Sequence, residues 1–238
     1  MSKTSTENFA ADVARIFGTL RNEFARNPEK FKVPVRQGHR EIGYLRPIGR
    51  DWENQAGMVG LLAAWRRTHQ DAYPTVFPVT EEGTARWIQA QLIERPDRIL
   101  FLVMGSDDQP VGHMGLANAD GEKREIEIDN VIRGVDNVVP GMMSAGLQAL
   151  TEWAFAVLKV RRLFLRVFKD NVHAVKYYER CGYRMCGEIP LHKFVEGNVT
   201  KFEPIPPGQS LSVDRTFTVM ETFSPGGGNL APSKKSKR

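Results

Sequence analysis

One short stretch, residues 170–183, constrains the fold of this chain more than any other. It reads Asp-Asn-Val-His-Ala-Val-Lys-Tyr-Tyr-Glu-Arg-Cys-Gly-Tyr and follows an apolar segment, 163–168, that predicts a strand. Asn171 is a typical N-cap residue, and Gly182 is a typical residue just beyond a helix end. Tyr178 comes seven residues after Asn171 and therefore lies on the same helix face. The stretch predicts a short capped helix between two strands.

The remaining elements follow an order in which three consecutive strands precede a strand–helix–strand unit. Strands are expected at 41–48, 99–104, 111–119, 125–132, 163–168, 183–191 and 216–221. Helices are expected to begin at Met58, Thr80, Gly141 and Asn171. This order predicts an α/β fold with a mixed sheet of six or seven strands and helices on both faces. No Gly-x-Gly-x-x-Gly follows the first strand, which argues against a doubly wound dinucleotide-binding fold.

Composition divides the chain into three zones. Residues 1–40 open with apolar residues at helical spacing and predict a helical extension that covers an edge or mediates a dimer. Those apolar residues are Phe9, Val13, Ile16, Phe17, Leu20 and Phe24. Residues 41–222 carry the mixed α/β pattern and form the predicted main domain. Residues 223–238 are rich in Gly and Pro and predict a flexible basic tail.

The basic charge of the chain is concentrated at its carboxyl terminus. The 33 Lys and Arg residues exceed the 28 Asp and Glu residues by five. Four of these five charges belong to the last five residues, Lys-Lys-Ser-Lys-Arg, so residues 1–233 carry a net charge of +1. A basic surface for nucleic acid is therefore not expected in the folded part, and no nucleic-acid partner is predicted.

The cysteine count and the hydropathy pattern argue against several classes of protein. Cys181 and Cys186 are too few for a disulfide framework or a four-cysteine zinc site. No apolar run approaches the ~18–20 residues of a membrane span. The first residues lack the apolar core of a secretory signal. A cytoplasmic protein without a metal is the expectation.

With these elements in place, the stretch 170–183 resembles a signature of the GNAT family of N-acetyltransferases. That signature is Asn-x-x-Ala-x-x-apolar-Tyr-x-x-x-Gly-aromatic. The order of strands and helices over 41–222 resembles the fold of the same family, as does the segment Leu-Gln-Ala-Leu-Thr-Glu-Trp-Ala that ends at Ala154. Within the family, the chain is most similar to the ribosomal-protein acetyltransferase branch and to amino-sugar acetyltransferases of surface-polysaccharide synthesis. The resemblance implies a GNAT fold and acetyl-CoA as co-substrate.

The resemblance places acetyl-CoA against the loop that precedes the helix at Gly141. In the family, backbone N–H groups of this loop bind the pyrophosphate, aided by the helix dipole. The family pattern Gln/Arg-x-x-Gly-x-Gly/Ala aligns with Val138-Val-Pro-Gly141-Met-Met143, so the basic residue is missing. Arg133 is the candidate side-chain contact to phosphate, or else a solvated loop arginine. Asn171 would hold the pantetheine arm, cap its helix, or do both. The residues predicted to line the cofactor site are Val131, Ile132, Arg133, Gly141, Met142, Met143, Ser144, Asn171 and Ala174.

The resemblance also implies a catalytic role for Tyr178. Acetyl transfer needs an unprotonated amine, a polarised thioester carbonyl and a stabilised thiolate leaving group. Tyr178 would donate a hydrogen bond or a proton to the departing thiolate. A contribution on the order of 10²-fold in rate is expected from such a group.

The candidate general base lies on the strand that begins at Glu125. Alternation puts Glu125, Glu127 and Asp129 on one face, where three like charges would raise one another's pKa. Glu127 and Asp129 lie nearest the point where cofactor and acceptor should meet. His113, on the preceding strand, is an alternative base. The competing interpretations are a partly solvated charged face and a structural histidine.

The acceptor side of the site is expected in the segment 65–77, because the first two helices and their connection shape that side in the family. The segment contains aromatic rings, two arginines and hydrogen-bonding groups, a set suited to a sugar or a nucleotide diphosphate. The alternative is a helix whose Trp65 packs inward and whose arginines are solvated. The residues predicted to contact the acceptor are Trp65, Arg66, His69, Tyr73 and Asn130.

These observations predict an acetyl-CoA-dependent N-acetyltransferase that transfers the acetyl group directly to the primary amine of a small molecule. A nucleotide-linked amino sugar is the favoured acceptor. One alternative is acetylation of a protein or peptide N-terminal amine. Another is a catalytically silent domain of the same fold that binds an acyl-CoA or a partner protein. The N-terminal helix also suggests a homodimer.

Overall fold

The computed structural model describes residues 3–136 and 138–225. The helices are α1 (Lys3–Glu23), α2 (Pro28–Phe31), α3 (Met58–Thr68), α4 (Glu81–Trp87), α5 (Met142–Trp153) and α6 (Val172–Arg180). Two of them continue as π-helical turns, α4 through Ile88–Ile93 and α5 through Ala154–Leu158. The strands are β1 (Val33–Gln37), β2 (Arg40–Pro47), β3 (Thr75–Val76), β4 (Ile99–Gly105), β5 (Pro110–Asp120), β6 (Glu125–Arg133), β7 (Arg162–Phe168), β8 (Arg184–Glu196), β9 (Val199–Pro204) and β10 (Arg215–Phe223). The basic end of the predicted tail, 226–238, lies outside the described residues.

The strands form one mixed sheet in the order β1-β2-β4-β5-β6-β7-β10-β8-β9-β3. Among the described strands, β6 and β7 pair in parallel and the other neighbours pair antiparallel. The predicted α/β class with a mixed sheet is therefore confirmed. The predicted strand count of six or seven is too low, because β1, β3 and β9 are short or interrupted by polar residues and give little periodic signal. β1 also shows that the zone 1–40, predicted to be helical, supplies a strand to the sheet.

The sheet carries a helical layer on each face, as predicted. Along β4, Phe101 and Val103 join the core cluster that includes α1 and α5. The alternate residues Leu100 and Leu102 join a second cluster with α3 and α4. The continuous apolar run of β4 follows from this arrangement, because a strand covered on both faces needs apolar residues at every position.

The N-terminal helix is part of the core. Phe9, Val13, Phe17 and Leu20 are buried in the same cluster as the residues of α5. The periodicity thus predicted the helix correctly. Its apolar face is buried against the chain's own sheet and is not available to another subunit, so the predicted role of this helix at an edge or in a dimer stays a prediction.

Two irregularities in the sheet open the space in which the site lies. β6 and β7 pair only from Glu125 to Glu127, so the two strands separate over their remaining length. β6 also contains a bulge at Asn130, whose φ is +51°. A bulge leaves backbone groups unpaired and re-aims the neighbouring side chains.

None of the helices in the described part of the chain is long and apolar enough to cross a membrane.

Candidate active site

A long groove of about 650 Å³ runs between the start of α5 and the face of α6. Its walls come from β6, from the loop before α5, from the first turn of α5 and from α6. The groove brings together every residue predicted to line the cofactor site: Val131, Ile132, Arg133, Gly141, Met142, Met143, Ser144, Asn171 and Ala174. These residues come from three separate segments of the chain, so their convergence is a property of the fold.

The start of α5 lines this groove and has the features of an anion site. Gly141 is the N-cap residue and has a φ of +81°, which favours glycine. The N–H groups of Met143 and Ser144, in the first helical turn, have no backbone acceptor among the described residues. The side chain of Gln37 donates a hydrogen bond to Pro140 O at 2.7 Å and holds the preceding loop in place. Free N–H groups together with the helix dipole make a site for phosphate.

Besides the predicted Arg133, the groove is lined by cationic and polar side chains that were not predicted from the sequence. Arg133 lies in the wall, but its guanidinium pairs with the exposed carboxylate of Asp136 at 3.0 Å. Arg180 and His173 extend from α6 into the same wall, together with Tyr177. Positions 173, 177 and 180 share one face of α6, so helical spacing could have identified them once Asn171 had been placed at the groove.

Asn171 has the capping role that was one of its two predicted functions. Its side-chain oxygen accepts the backbone N–H of Ala174 at 3.1 Å. Asn171 also lines the groove, so capping and ligand contact are compatible. The cap begins a helix that carries Tyr178 two turns later.

A small junction of about 170 Å³ lies where β6 and β7 separate. It shares Val131, Asn171 and Tyr178 with the groove. On its other side it shares Tyr73 and Asp129 with a third cavity, described below. The three spaces therefore have common walls and lie next to one another along one path.

Tyr178 is the residue at the centre of this path. Its side chain is 9% exposed, and its hydroxyl forms no hydrogen bond with another described residue. Burial is the main cause that raises the pKa of Tyr178 above its ordinary value. The hydroxyl is therefore protonated at neutral pH and has a free hydrogen to donate.

The acidic face of β6 is neutralised by arginines, contrary to the expectation of mutual repulsion. Arg162 pairs with Glu125, and Arg166 binds Glu127 through two hydrogen bonds of 2.7 and 2.9 Å. Asn118 donates a further hydrogen bond to Glu127 at 2.6 Å, which occupies most of that carboxylate's acceptor capacity. Glu125 does not line the groove, the junction or the third cavity. The structure thus makes Glu127 a poor candidate for the general base.

Asp129 is placed more favourably than the other two acids of β6. It lines both the junction and the third cavity and is partly exposed to them. One of its oxygens is engaged by Arg98. The other oxygen has no hydrogen bond with a described residue, so Asp129 can orient a cationic or amine group.

His113 is buried, and its ring is held in one tautomer. Nδ1 lies 2.7 Å from the carbonyl oxygen of Asn130, so Nδ1 carries the hydrogen and donates it. The lone pair is left on Nε2, and His113 lines the third cavity. Burial is the main cause that lowers the pKa of His113 to about 4, so its ring is neutral at pH 7. The Trp65 ring packs beside it with a centroid distance of 5.8 Å.

The third space, which we call the aromatic cavity, measures about 450 Å³. Tyr73, Phe77 and Trp87 supply its aromatic walls, and Arg66 and Arg98 its cations. Of the residues predicted to contact an acceptor, Arg66, Tyr73 and Asn130 line this cavity.

Two residues predicted to contact the acceptor do not reach the aromatic cavity. Trp65 is 4% exposed and packs in the core against Gly134, so its ring contacts His113 from the core side. His69 lines the groove instead, because it follows the end of α3 on the side that faces α5. Among the described residues, no three His, Cys, Asp or Glu side chains cluster as metal ligands.

Comparison with known proteins identifies a family over the central part of the chain. Residues 44–184, more than half of the chain, match the family described as the Acetyltransferase (GNAT) domain. Among curated proteins, the spermine/spermidine N(1)-acetyltransferase of Bacillus subtilis (strain 168) is 31% identical over 52 residues. That match covers 22% of this chain and 34% of the relative, so it spans about a third of the length of that protein.

Solved structures show the same fold. A probable acetyltransferase of the GNAT family from Chromobacterium violaceum has a TM-score of 0.57 at 19% identity, covering 80% of this chain and 86% of that one. A spermidine/spermine N-acetyltransferase from Vibrio cholerae has a TM-score of 0.52 at 14% identity, covering 75% of this chain and 91% of that one. At these identities the likeness concerns the fold alone.

Proposed function

Because the chain belongs to the GNAT acetyltransferase family, we propose that it is an acetyl-CoA-dependent N-acetyltransferase acting on the primary amine of a small molecule. The observation that carries the proposal is the junction. The junction lies between the groove, where phosphate is proposed to bind, and the aromatic cavity. It is lined by Tyr178, whose hydroxyl forms no hydrogen bond with another described residue, and by the bulge of β6 at Asn130. Such a meeting point is what direct transfer between two bound molecules requires, because the reacting atoms must approach to about 3–3.5 Å.

The groove suits the extended, anionic cofactor. In this proposal the N–H groups of Met143 and Ser144 bind the pyrophosphate, and Arg180 adds a positive charge nearby. The pantetheine arm follows the wall of β6, where Val131 and Ile132 lie next to the bulge. The thioester then lies at the junction.

The transfer step forms a carbon–nitrogen bond and breaks a carbon–sulfur bond. The amine nitrogen attacks the thioester carbonyl, and the carbonyl oxygen gains negative charge that a backbone N–H group at the bulge of β6 would stabilise. The thiolate then leaves, and the hydroxyl of Tyr178 donates a hydrogen bond to it.

The amine must lose a proton before it attacks. Nε2 of His113 can accept a hydrogen bond from the amine, but a base with a pKa of about 4 holds a proton far more weakly than an alkylamine does. His113 and Asp129 therefore orient the amine in this proposal. The ammonium form loses one proton to solvent before the attack, the nitrogen loses a second proton to solvent once the carbon–nitrogen bond has formed, and the released thiolate takes up a proton from solvent. The rate should rise with pH until the acceptor amine itself is deprotonated.

The proposed acceptor amine belongs to one of two chemical classes. A nucleotide-linked amino sugar, the acceptor favoured by the sequence, is supported by the two guanidinium groups and three aromatic rings of the aromatic cavity. The curated relative and one solved structure are named as spermidine or spermine acetyltransferases, so polyamines are the competing class. A reducing cytoplasmic location and a homodimer remain predictions from the sequence, and a dimer would need a surface other than the buried face of α1.

Two measurements test the proposed function. Isothermal titration calorimetry with acetyl-CoA should show saturable binding, and thiol release in the presence of an amine panel should show turnover. The panel contains a nucleotide-linked amino sugar, spermidine and a peptide with a free N-terminus. Absence of acetyl-CoA binding at near-millimolar concentration would contradict the proposal. Binding without thiol release from any amine would instead indicate a silent acyl-CoA-binding domain.

A further inference from the structure

We infer that the acceptor carries an anionic group, a carboxylate or a phosphate, in addition to its amine, and that this group binds the guanidinium of Arg66 in the aromatic cavity. The inference rests on the proposed function, since it concerns the molecule that receives the acetyl group. It separates an anionic amine from a polyamine, the class named for the spermidine and spermine acetyltransferases above.

The first argument is that Arg66 is a buried charge without an opposite charge. Its side chain is partly buried in the cavity wall, and burial is the main cause that lowers the pKa of Arg66. No carboxylate lies within ion-pair distance of its guanidinium in the described part of the chain. Desolvating a charge without a partner is unfavourable. An anion supplied by the ligand would offset that penalty.

The second argument is that the guanidinium is held in place with most of its donors free. It stacks on the ring of Tyr73, with the central carbon 3.2 Å from the ring centroid. One of its nitrogens donates a hydrogen bond to Thr75 O at 2.6 Å. A guanidinium has five N–H groups, so the contacts within the described residues leave several available. A fixed planar fork with free N–H groups matches the geometry of a carboxylate or a phosphate.

The third argument comes from the charges around the cavity. Its charged lining residues are Arg66, Arg98 and Asp129, and His113 is neutral at pH 7. Arg98 is already paired with Asp129, so the positive charge of Arg66 is the one left over. A polyamine would bring two or more positive charges into a cavity with a net positive charge, which is repulsive.

The lining residues of the aromatic cavity indicate where the amine and the anionic group of the acceptor lie. Asp129 and Asn130 lie where the cavity meets the junction, so the amine of the acceptor is directed there. The anionic group then lies against Arg66, beside Thr75 and Phe77.

Matched pairs of amines test the inference. The pairs are glucosamine 6-phosphate with glucosamine, 4-aminobutyrate with putrescine, and tyrosine with tyramine. Glucosamine 6-phosphate and tyrosine add a phosphate and a carboxylate to their partners, and 4-aminobutyrate has a carboxylate in place of the second amine of putrescine. Calorimetry measures binding to the protein saturated with CoA, and thiol release from acetyl-CoA measures turnover. We expect the anionic member of at least one pair to bind more tightly by about tenfold or more.

Variants at two arginines show whether Arg66 is responsible. Arg66→Gln should weaken binding of the preferred anionic amine by about tenfold, whereas its partner without the anionic group should bind as well as before or more tightly, because a positive charge has been removed. Arg66→Lys should restore part of the affinity, since it returns the charge without the planar fork. Arg86→Gln is the matched control, because Arg86 is an exposed arginine of α4 that does not line the cavity. Acetyl-CoA affinity should be unchanged in all three variants.

The outcomes separate this inference from the proposed function. The inference is overturned if the cationic or neutral member binds as well as its anionic partner in every pair, or if no amine binds while acetyl-CoA does. It is also overturned if Arg66→Gln weakens both members of a pair equally. If acetyl-CoA fails to bind but an anionic amine still binds in an Arg66-dependent manner, the proposed function fails and the anion site stands.

Discussion

At the scale of single residues, the properties of Tyr178 restrict what it can do. Its ordinary pKa of about 10 is already above that of a thiol, about 8.5. Burial raises the pKa of Tyr178 further, so complete proton transfer to a thiolate is uphill. A hydrogen bond to the leaving sulfur does not require that transfer. We therefore expect Tyr178 to stabilise the thiolate by hydrogen bonding.

Tyr178→Phe should lower kcat by about 10²-fold and leave the affinity for acetyl-CoA nearly unchanged, because only the donated hydrogen bond is lost. Steady-state kinetics and calorimetry measure the two quantities. Tyr183→Phe is the control, since this buried tyrosine bonds Thr151 at 2.9 Å and lines none of the three spaces. Equal turnover in the wild type and Tyr178→Phe would contradict the assigned role.

His113 should make the stability of the protein depend on pH. Its pKa is about 4 in the folded protein and about 6.5 when unfolded, so the unfolded chain takes up a proton first as the pH falls. The wild type should therefore lose stability between about pH 6.5 and pH 4, by on the order of 3 kcal/mol. Above about pH 6.5 the contribution is constant.

Urea unfolding of the wild type and His113→Asn at several pH values measures this effect. As the pH falls from about 6.5 to about 4, the free energy of unfolding of the wild type should decrease relative to that of His113→Asn. His39→Asn, at an exposed position, is the control and should follow the wild type. Parallel pH profiles for the wild type and His113→Asn would show that His113 is not the group responsible.

At the scale of elements, the start of α5 depends on a glycine for two reasons. Gly141 has a φ of +81°, and a Cβ atom there would lie 2.5 Å from Nε2 of Gln37. Any side chain would therefore strain the backbone and push against the side chain that holds the loop. The positions of the N–H groups of Met143 and Ser144 depend on this geometry.

Gly141→Ala should weaken acetyl-CoA binding and destabilise the fold by about 1–2 kcal/mol. Gly57→Ala is a matched control, because Gly57 is the N-cap of α3, has a φ of +77° and has no atom near its Cβ position. Both variants should be destabilised in chemical denaturation, but only Gly141→Ala should lose affinity in calorimetry. Equal acetyl-CoA affinity in Gly141→Ala and the wild type would rule out the helix start as the phosphate site.

The neighbouring strands explain why the acidic face of β6 is not a set of free bases. β7 places Arg162 and Arg166 four residues apart on the face that meets Glu125 and Glu127. The two arginines of β7 are visible in the sequence. Their pairing with β6 is not, because it depends on two strands that are separated by a helix in the chain.

At the scale of the whole molecule, one buried arginine connects the helical layers. Arg21 of α1 is 5% exposed, and its guanidinium donates hydrogen bonds to the carbonyl oxygens of Leu92, Ile93 and Arg95, at 2.6–3.0 Å. Leu92 and Ile93 lie in the last turn of the helix that begins with α4, and Arg95 follows its end. This helix packs on the opposite face of the sheet from the core of α1. Arg21 therefore fixes the helix whose residues wall the aromatic cavity.

Arg21→Met should destabilise the protein by about 3 kcal/mol, because it leaves buried carbonyl groups without donors. Arg15→Met is the control on the same helix, since Arg15 is exposed and pairs only with Asp12 at its surface. The control should change stability by less than about 0.5 kcal/mol. Chemical denaturation measures both, and a similar loss in the two variants would mean that Arg21 makes no special contribution.

The sequence by itself determined the elements that rest on local chemistry. The stripe at the N-terminus predicted α1, the cap at Asn171 predicted α6, and the apolar run at Ile99 predicted a strand. Periodicity, capping and turn residues act over a few positions, so they can be recognised without the rest of the chain. The family signature, which spans a single helix and its ends, was recognisable for the same reason.

Only the tertiary structure decided which side chains meet. It buried the face of α1 on the chain's own sheet, turned Trp65 into the core and placed His69 in the groove. It also paired the acids of β6 with arginines and left the guanidinium of Arg66 without a carboxylate partner among the described residues. Each of these outcomes depends on strand order and on the separation of β6 from β7, which bring together residues far apart in the chain. The sequence therefore predicts the parts of the site, whereas the charge and shape of the cavity between them arise from long-range packing.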